Sequence, residues 1–203
     1  MSWLPKPHRP SLTDEQAMRD VQLRGDHEAF AQLVQRWETP IRRLCIRMTF
    51  DEHRSEDLAQ EAFARVFAKR LQFEHGRKFS TWLWRIALNL CFEEGRRAAR
   101  LPLDDDSTAS GLSSSGPQAD EQVIAQERAE QVKRALARLS DANRCVVVLR
   151  EYEGLKYREI AEALEIPEGT VKWRMAEALD QLARELRPLA PNEDRPQRLA
   201  PIL

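Results

Sequence analysis

The chain has 203 residues, of which 42% are hydrophobic and 32% are charged, and its formal net charge is −1. This length allows one or two small domains, and this composition excludes disorder throughout and a fibrous repeat. The charge is segregated, because residues 69–100 carry eight lysines and arginines against three carboxylates, whereas residues 101–130 carry seven carboxylates against one arginine. A near-neutral total therefore does not exclude a surface that binds nucleic acid.

The prolines divide the chain into segments. Only Pro40 and Pro167 of the 11 prolines fall inside helical patterns. Because proline removes an amide donor and fixes φ, we predict an all-α fold with two helical domains, residues 13–100 and 121–187. Residues 101–120 are acidic and rich in Ser and Gly, which predicts a flexible linker. Tails are predicted at 1–12 and 188–203, and for the second, which ends in LAPIL, disorder and a docking peptide both stay open.

The first domain begins with three predicted helices. Thr13 starts a short helix with a capping box, and Gly25-Asp26 ends it and restarts the chain. Apolar side chains recur at every third or fourth residue between residues 30 and 48, so we expect a long helix that Pro40 bends or splits. A third helix is expected after the acidic segment 51–57. Its inward side chains are Leu58, Ala62, Val66 and Phe67.

The fourth predicted helix, Thr81–Glu94, starts at Ser80 and is closed by Gly95. One face is apolar and is predicted to enter the core: Leu83, Ile86, Ala87, Leu90 and Cys91. The other face carries an aromatic ring, cations and an amide: Trp82, Arg85, Asn89 and Arg96. Such groups stack on unpaired bases, neutralise phosphates and bond to base edges, so this face predicts binding to opened nucleic acid. The alternative is that the tryptophans are core residues and the arginines are solvated.

The second domain is predicted to hold three or four helices. Ser140-Asp141 caps one of them and Gly154 ends it. The last two helices are separated only by Glu165-Ile166-Pro167, which is typical of a helix-turn-helix. The inward residues of the last helix are predicted as Val171, Met175, Ala178, Leu179, Leu182 and Leu186. Its N-terminal residues are predicted to face the major groove: Glu168, Thr170, Lys172, Trp173 and Arg174.

No pattern indicates catalysis, a metal or a cofactor. Cys45, Cys91 and Cys145 are far apart inside apolar helical patterns, so we expect three reduced core residues. The four histidines share no constellation with a nucleophile or carboxylates, so the protein is not expected to be an enzyme. No apolar run is long enough to span a bilayer and the N-terminus lacks an apolar signal core, so we expect a cytoplasmic protein without membrane insertion.

Three segments together resemble one known family. The segments DLAQEAFARVF, FSTWLWRIALNLCFEEGRR and LREYEGLKYREIAEALEIPEGTVKWRM occur in that order. Over residues 14–187 the chain resembles the extracytoplasmic-function sigma factors of bacterial RNA polymerase. The resemblance implies that the first domain is sigma region two and the second is region four.

The resemblance implies three binding surfaces. Polymerase binding, on the β′ clamp helices, falls on Asp57, Leu58, Gln60, Glu61, Phe63 and Arg65. Capture of the opened minus-ten strand falls on His75, Arg77, Lys78, Phe79, Ser80, Thr81, Trp82, Arg85, Asn89, Arg96 and Arg97. Minus-thirty-five recognition falls on Tyr157, Arg158, Glu168, Thr170, Lys172, Trp173 and Arg174. Region four would also contact the β flap, and the acidic linker would thread the polymerase cleft or serve as an inert tether.

The sequence departs from the family pattern after Arg174. Ala176, Glu177, Ala178 and Leu179 stand where many members have arginines, which predicts weak DNA binding by region four alone with a shallow salt dependence. Trp173 stands where a small polar residue is commoner. Contact with a thymine methyl or deoxyribose and contact with a partner protein both stay open for it.

The function expected from these observations is promoter recognition and DNA opening by core RNA polymerase. The resemblance also implies an anti-sigma protein as a partner. Two alternatives remain from the sequence: a helix-turn-helix regulator that acts without polymerase, and an interaction protein that needs no DNA contact.

Overall fold

A computed structural model of the protein describes residues 12–100 and 119–186, and within them every regular element is helical. The predicted C-terminal tail and nearly all of the predicted N-terminal tail and linker lie outside these residues. The N-terminal bundle consists of α1 (Asp14–Arg24), α2 (His27–Thr49), α3 (Glu52–Ala68) and α4 (Phe79–Ala98), with a 3-10 turn at Arg70–Gln72. The C-terminal bundle consists of α5 (Ala119–Arg138), α6 (Asp141–Val147), α7 (Tyr157–Leu164) and α8 (Glu168–Leu186), with a π-helical turn at Val148–Tyr152.

Capping residues fix the first two helices as the sequence predicts. Thr13 and Gln16 form the capping box of α1, which ends at Gly25 in the left-handed region with φ of 62°. The Asp26 carboxylate then accepts from the amides of Glu28 and Ala29 at the start of α2. Pro40 does not split α2, which runs unbroken from His27 to Thr49. Packing of α2 against α1, α3 and α4 offsets the loss of one helical hydrogen bond.

Two helices of the N-terminal bundle begin earlier than predicted. The third helix starts inside the acidic segment, because Asp51 caps it through the amide of Arg54. The fourth starts at Phe79 with Lys78 as N-cap, and Ser80 is therefore not its cap. Gly95 lies inside α4, which continues to Ala98. The predicted stop at Gly95 is wrong because its φ is not in the left-handed region.

The core of the N-terminal bundle contains the predicted stripes of α2 and α4. The five predicted core residues of α4 are all buried: Leu83, Ile86, Ala87, Leu90 and Cys91. Cys45, Cys91 and Cys145 are buried and free, as expected. The Cys91 Sγ lies 3.8 Å from the Cys45 Sγ. The contact with Cys45 and burial raise the pKa of the Cys91 thiol, while burial raises that of Cys145 to about 12, so these two thiols stay protonated at neutral pH.

The C-terminal bundle packs α5, α6 and α7 on α8. Val171, Met175 and Ala178 of α8 are buried, as predicted. Leu179 was also predicted to point inward, but 49% of its surface is exposed. The helix-turn-helix has the predicted bounds, since α7 ends at Leu164, Glu165 adopts φ of 54°, and α8 begins at Glu168.

Candidate nucleic-acid and polymerase interfaces

An aromatic cluster lies under the start of α4 and supports the loop that precedes it. The Phe79 ring lies at centroid distances of 6.3 Å from Phe73, 6.4 Å from Trp82 and 6.5 Å from Trp37. Trp84 contacts Trp37 edge-on at 5.6 Å. Phe79 has no exposed surface and Trp84 only 3%, whereas Trp82 is half-buried. Of the two tryptophans of α4, only Trp82 presents ring surface that a base could stack on.

The loop of residues 74–78 is fixed at both ends by α1. The side-chain amide of Gln22 donates to the carbonyls of Phe73 (3.0 Å) and Leu71 (3.3 Å). The Glu15 carboxylate accepts from the Phe79 amide at 3.3 Å and so satisfies one free donor at the start of α4. Gly76 adopts φ of 93°, which a side chain would strain. Sequence reasoning missed Gln22 and Glu15, because nothing in the pattern of α1 indicates contacts some 50 to 60 residues away.

A cavity of about 490 Å³ opens between this loop, the first turns of α4 and one side of α7. Its walls include the Trp82 ring, the Thr81 side chain and the cations of Arg77, Lys78 and Arg85. This volume lies in the range of small-ligand sites. An aromatic face, a hydroxyl and cations around one concave site suit an unstacked base with its phosphates.

Five of the eleven predicted minus-ten residues line this cavity: Arg77, Lys78, Thr81, Trp82 and Arg85. Asn89, Arg96 and Arg97 are exposed farther along α4, His75 and Arg77 are exposed on the loop, and Ser80 is half-buried. Phe79 is the correction, since its ring is enclosed by other rings and cannot contact a base in this arrangement. Its position supports the loop from the core.

The outward face of α3 carries four of the six predicted polymerase-binding residues. Asp57, Gln60 and Glu61 are exposed, and Arg65 is half-buried between Glu61 (2.7 Å) and Glu93 of α4 (3.0 Å). Leu58 and Phe63 are only 2% and 6% exposed, so they pack in the core and are not free to contact a partner. The hydrogen bond from Arg65 lowers the pKa of Glu93 of α4, which keeps the Glu93 carboxylate ionised at neutral pH.

The N-terminal turns of α8 present the predicted groove-facing residues. Lys172 and Trp173 are exposed, the latter by 62%, while Thr170 and Arg174 are half-buried. Lys172 pairs with Glu168 on the preceding turn at 2.8 Å, and this partner raises the pKa of Lys172. On α7, Arg158 is exposed and Tyr157 lies under the Arg150 guanidinium at 5.0 Å.

The two bundles contact each other through α4 and α7. The Lys78 Nζ lies 2.5 Å from Glu159, and Arg85 pairs with Glu165 at 2.7 Å and donates to the Glu162 carbonyl at 2.9 Å. The ion pair between Lys78 and Glu159 raises the pKa of Lys78 and lowers that of Glu159.

Within the described parts of the chain, no helix is both long and apolar enough to cross a membrane.

Comparisons with known proteins follow the division into two bundles. A family model described as "Sigma-70 region 2" matches residues 33–101, and one described as "Sigma-70, region 4" matches residues 129–182. The ECF RNA polymerase sigma factor SigW of Bacillus subtilis is 36% identical over 174 residues, covering 82% of this chain and 93% of that protein. The RNA polymerase sigma-H factor of Pseudomonas aeruginosa is 34% identical, covering 87% of this chain and 95% of that protein.

Solved structures share the fold. The structure of CnrH in complex with the cytosolic domain of CnrY matches with a TM-score of 0.68 at 22% identity, covering 87% of this chain and 99% of that one. The sigma factor RpoE of Bartonella quintana, solved with the anti-sigma factor NepR, matches with a TM-score of 0.60 at 22% identity. The match covers 80% of this chain and 99% of that one.

Proposed function

The chain belongs to the extracytoplasmic-function RNA polymerase sigma factors, and from this premise we propose which of its surfaces carry out each step of initiation. As a member of that family it binds core RNA polymerase, directs it to promoters and promotes DNA opening, and it is not an enzyme. The two alternatives left open by the sequence, a regulator without polymerase and a protein without DNA contact, are replaced by this function.

The minus-ten step is assigned to the cavity beside α4. Trp82 provides the stacking surface, Arg85 and Lys78 are placed to hold phosphates, and Asn89 is exposed one turn farther along the same helix. Opening a duplex requires each captured base to leave its stack, which costs a few kcal/mol. Stacking on Trp82 and phosphate contacts offset that cost, so the cavity stabilises the opened strand rather than the duplex. The juxtaposition of Trp82 with three cations of the same bundle around one cavity is the observation that carries this assignment.

The remaining steps are assigned to α3 and α8. The exposed carboxylates and amide of α3, Asp57, Gln60 and Glu61, form a polar surface suited to the polymerase clamp helices. Lys172 and Trp173 at the start of α8 are placed to meet the minus-thirty-five duplex in its major groove. Since the related RpoE was solved with an anti-sigma factor, an anti-sigma protein is also proposed as a regulatory partner.

Run-off transcription with core polymerase tests the minus-ten assignment. The variant Trp82→Ala/Asn89→Ala is expected to lose about tenfold or more of the start-site-specific transcript, because stacking on an aromatic side chain contributes about 1–3 kcal/mol per base. Permanganate reactivity of promoter thymines should fall in parallel, since fewer complexes hold an opened strand. The control Leu23→Ala/Gln35→Ala removes an exposed apolar side chain and an exposed amide elsewhere on the same bundle.

The two variants should differ if the assignment is right. Equal transcript and equal permanganate reactivity from both would contradict it. Binding of core polymerase, measured by co-purification, is expected to be the same for both, because neither substitution lies on α3.

A further inference from the structure

The ion pairs between the two bundles all place the positive charge on the same bundle. Every ion pair between the bundles in the described residues joins a cation of the N-terminal bundle to a carboxylate of the C-terminal bundle: Lys78 to Glu159, Arg85 to Glu165 and Arg47 to Glu153. Glu159, Glu162 and Glu165 follow one another at three-residue spacing along α7 and the turn after it. We call these three residues the acidic edge of α7.

The acidic edge lies on the surface assigned to the opened strand. Glu159 neutralises Lys78, and the Arg85 guanidinium is shared between the Glu165 carboxylate and the Glu162 carbonyl. Arg158 and Glu162 of α7 themselves line the cavity that contains Trp82. A nucleotide could therefore not reach this cavity along the α7 side without displacing α7.

Carboxylates replace phosphates well at such a site. Both are anionic oxygen acceptors that an arginine fork or a lysine ammonium recognises through short charge-assisted hydrogen bonds. The acceptors of α7 do not satisfy every donor of Arg85, because its Nε is buried and has no hydrogen-bond partner. An acceptor with more oxygens, such as a phosphate, can satisfy that remaining donor.

The bundles also meet at a second contact, away from the cavity. Arg47 of α2 pairs with Glu153 at 3.4 Å, and its guanidinium lies 4.2 Å from the ring centroid of Tyr152. Arg144 of α6 lies over the Phe50 ring at 5.2 Å. The ion pairs of Lys78 and Arg85 are exposed or half-exposed and contribute about 0–1 kcal/mol each, whereas Glu153 and Arg144 are largely buried. An interface with such exposed polar pairs can separate when a competing partner binds.

We infer that in the free protein the acidic edge of α7 acts as an internal substitute for the opened DNA strand. It pairs with Lys78 and Arg85 and supplies part of the wall of the same cavity, so the C-terminal bundle must move off α4 before the minus-ten strand can bind. This inference rests on the proposed function of α4, and it adds that the chain itself competes with its promoter until polymerase separates the bundles.

The variant Glu159→Gln/Glu165→Gln tests the competition. Gln at position 159 can still accept from the Lys156 amide, which Glu159 does at 2.9 Å at the start of α7, so the helix is retained. The matched control Glu127→Gln/Asp180→Asn removes two carboxylates of the same bundle that make no contact with the N-terminal bundle in the described residues. Both variants change the net charge equally, which separates loss of the contact from a general gain in attraction to DNA.

The first measurement is a distance between the bundles in the free chain. Ala64 of α3 and Ala176 of α8 are exposed, so Ala64→Cys and Ala176→Cys accept nitroxide labels, whereas the native cysteines are buried. Pulsed electron paramagnetic resonance on the wild-type background should give one narrow distance distribution at low salt. The Glu159→Gln/Glu165→Gln background should broaden it, and the control background should not. A broad wild-type distribution that the test substitutions leave unchanged would overturn the inference.

The second measurement uses a fluorescein-labelled single strand that carries the non-template minus-ten region of a promoter from which the wild type initiates. The free Glu159→Gln/Glu165→Gln chain should bind it about three- to tenfold more tightly than the free control chain. Equal affinities would refute the competition. Run-off transcription with core polymerase distinguishes the two levels of failure: if wild type initiates but the free-chain results are negative, only the internal competition is wrong, whereas no initiation would reject the proposed function as well.

Discussion

Glu94, near the end of α4, links the folded state to pH. Arg54 of α3 donates to its carboxylate at 2.7 Å, and this hydrogen bond lowers the pKa of Glu94 below its ordinary value of 4.5. A carboxyl group with a lowered pKa stabilises the fold above the pKa of the unfolded chain, and this contribution is lost as the pH falls through the folded value. The pair therefore stabilises the contact between α3 and α4 at neutral pH and not in acid.

The variant Glu94→Gln should show this dependence. At pH 7 it is expected to lower the free energy of unfolding by about 1 kcal/mol or less, because Arg54 is 36% exposed and solvent screens the pair. Between pH 5 and pH 3 the difference from wild type should shrink towards zero. Urea unfolding followed by circular dichroism at several pH values measures it, and a difference that stays constant down to pH 3 would contradict the assignment.

Single residues also show how far the sequence could define the site. The periodicity of α4 separated Leu83 and Leu90, which are buried, from Asn89 and Arg96, which are exposed, because a helix repeats every 3.6 residues. Periodicity could not tell Phe79 from Trp82, since both are aromatic and lie near the start of the helix. Their difference in burial arises from Trp37 and Phe73, which other segments bring to that point.

Among the helices, α8 allows the clearest test of duplex recognition, through the residues of its first turns. A lysine that neutralises a phosphate contributes about one unit to the salt dependence of binding, whereas an aromatic contact with a sugar or methyl group contributes affinity without salt dependence. In promoter binding by the holoenzyme, Lys172→Ala should lower the slope of log K against log salt by about 1. Trp173→Ala should weaken binding at every salt concentration with the slope unchanged.

Arg184→Ala provides the control, because Arg184 lies near the other end of α8 and pairs with Asp180 of its own helix. It should change neither the affinity nor the slope. If Trp173→Ala leaves the affinity for promoter DNA at the wild-type value, Trp173 does not contact the duplex and the remaining interpretation, a contact with a partner protein, applies.

Among the elements, caps with a local partner were predictable and caps from distant residues were not. Thr13 and Ser140 accept from amides three residues ahead, so the sequence alone indicated where α1 and α6 begin. The start of α4 depends on Glu15 of α1, which no local pattern reveals. The continuity of α2 through Pro40 likewise depends on packing against three other helices, which propensity does not include.

For the whole molecule, the sequence predicted two helical units but not the way in which they meet. The contacts between α4 and α7 join residues about 80 positions apart, and their charges are common on any solvated helix face. The three-residue spacing of Glu159, Glu162 and Glu165 was the available signal. An acidic stripe by itself does not identify its partner, whereas the cationic surface of α4 supplies one once both bundles are placed.

The closed arrangement also buries a carboxylate at some cost. Burial raises the pKa of Glu153, and the nearby Arg47 and Arg43 only partly oppose this effect. A raised folded pKa means that the ionised carboxylate is less stable in the folded chain than in the unfolded chain, so stability falls as the pH rises through that value. Glu153 therefore opposes closure at neutral pH even though it forms an ion pair with Arg47 at 3.4 Å.

Replacing this carboxylate by an amide should remove that cost. At pH 7 the variant Glu153→Gln is expected to unfold at the same urea concentration as wild type or a higher one, since Arg47 keeps its contact with the Tyr152 ring and 28% of its side chain is exposed to water. As the pH is lowered through the raised pKa of Glu153, protonation of this carboxyl group should bring the stability of wild type towards that of the variant. The Glu94→Gln variant serves as the comparison, because its change in stability at pH 7 should have the opposite sign: it should be less stable than wild type. A Glu153→Gln chain that is clearly less stable at pH 7 would mean that the ion pair with Arg47 outweighs the desolvation of the carboxylate.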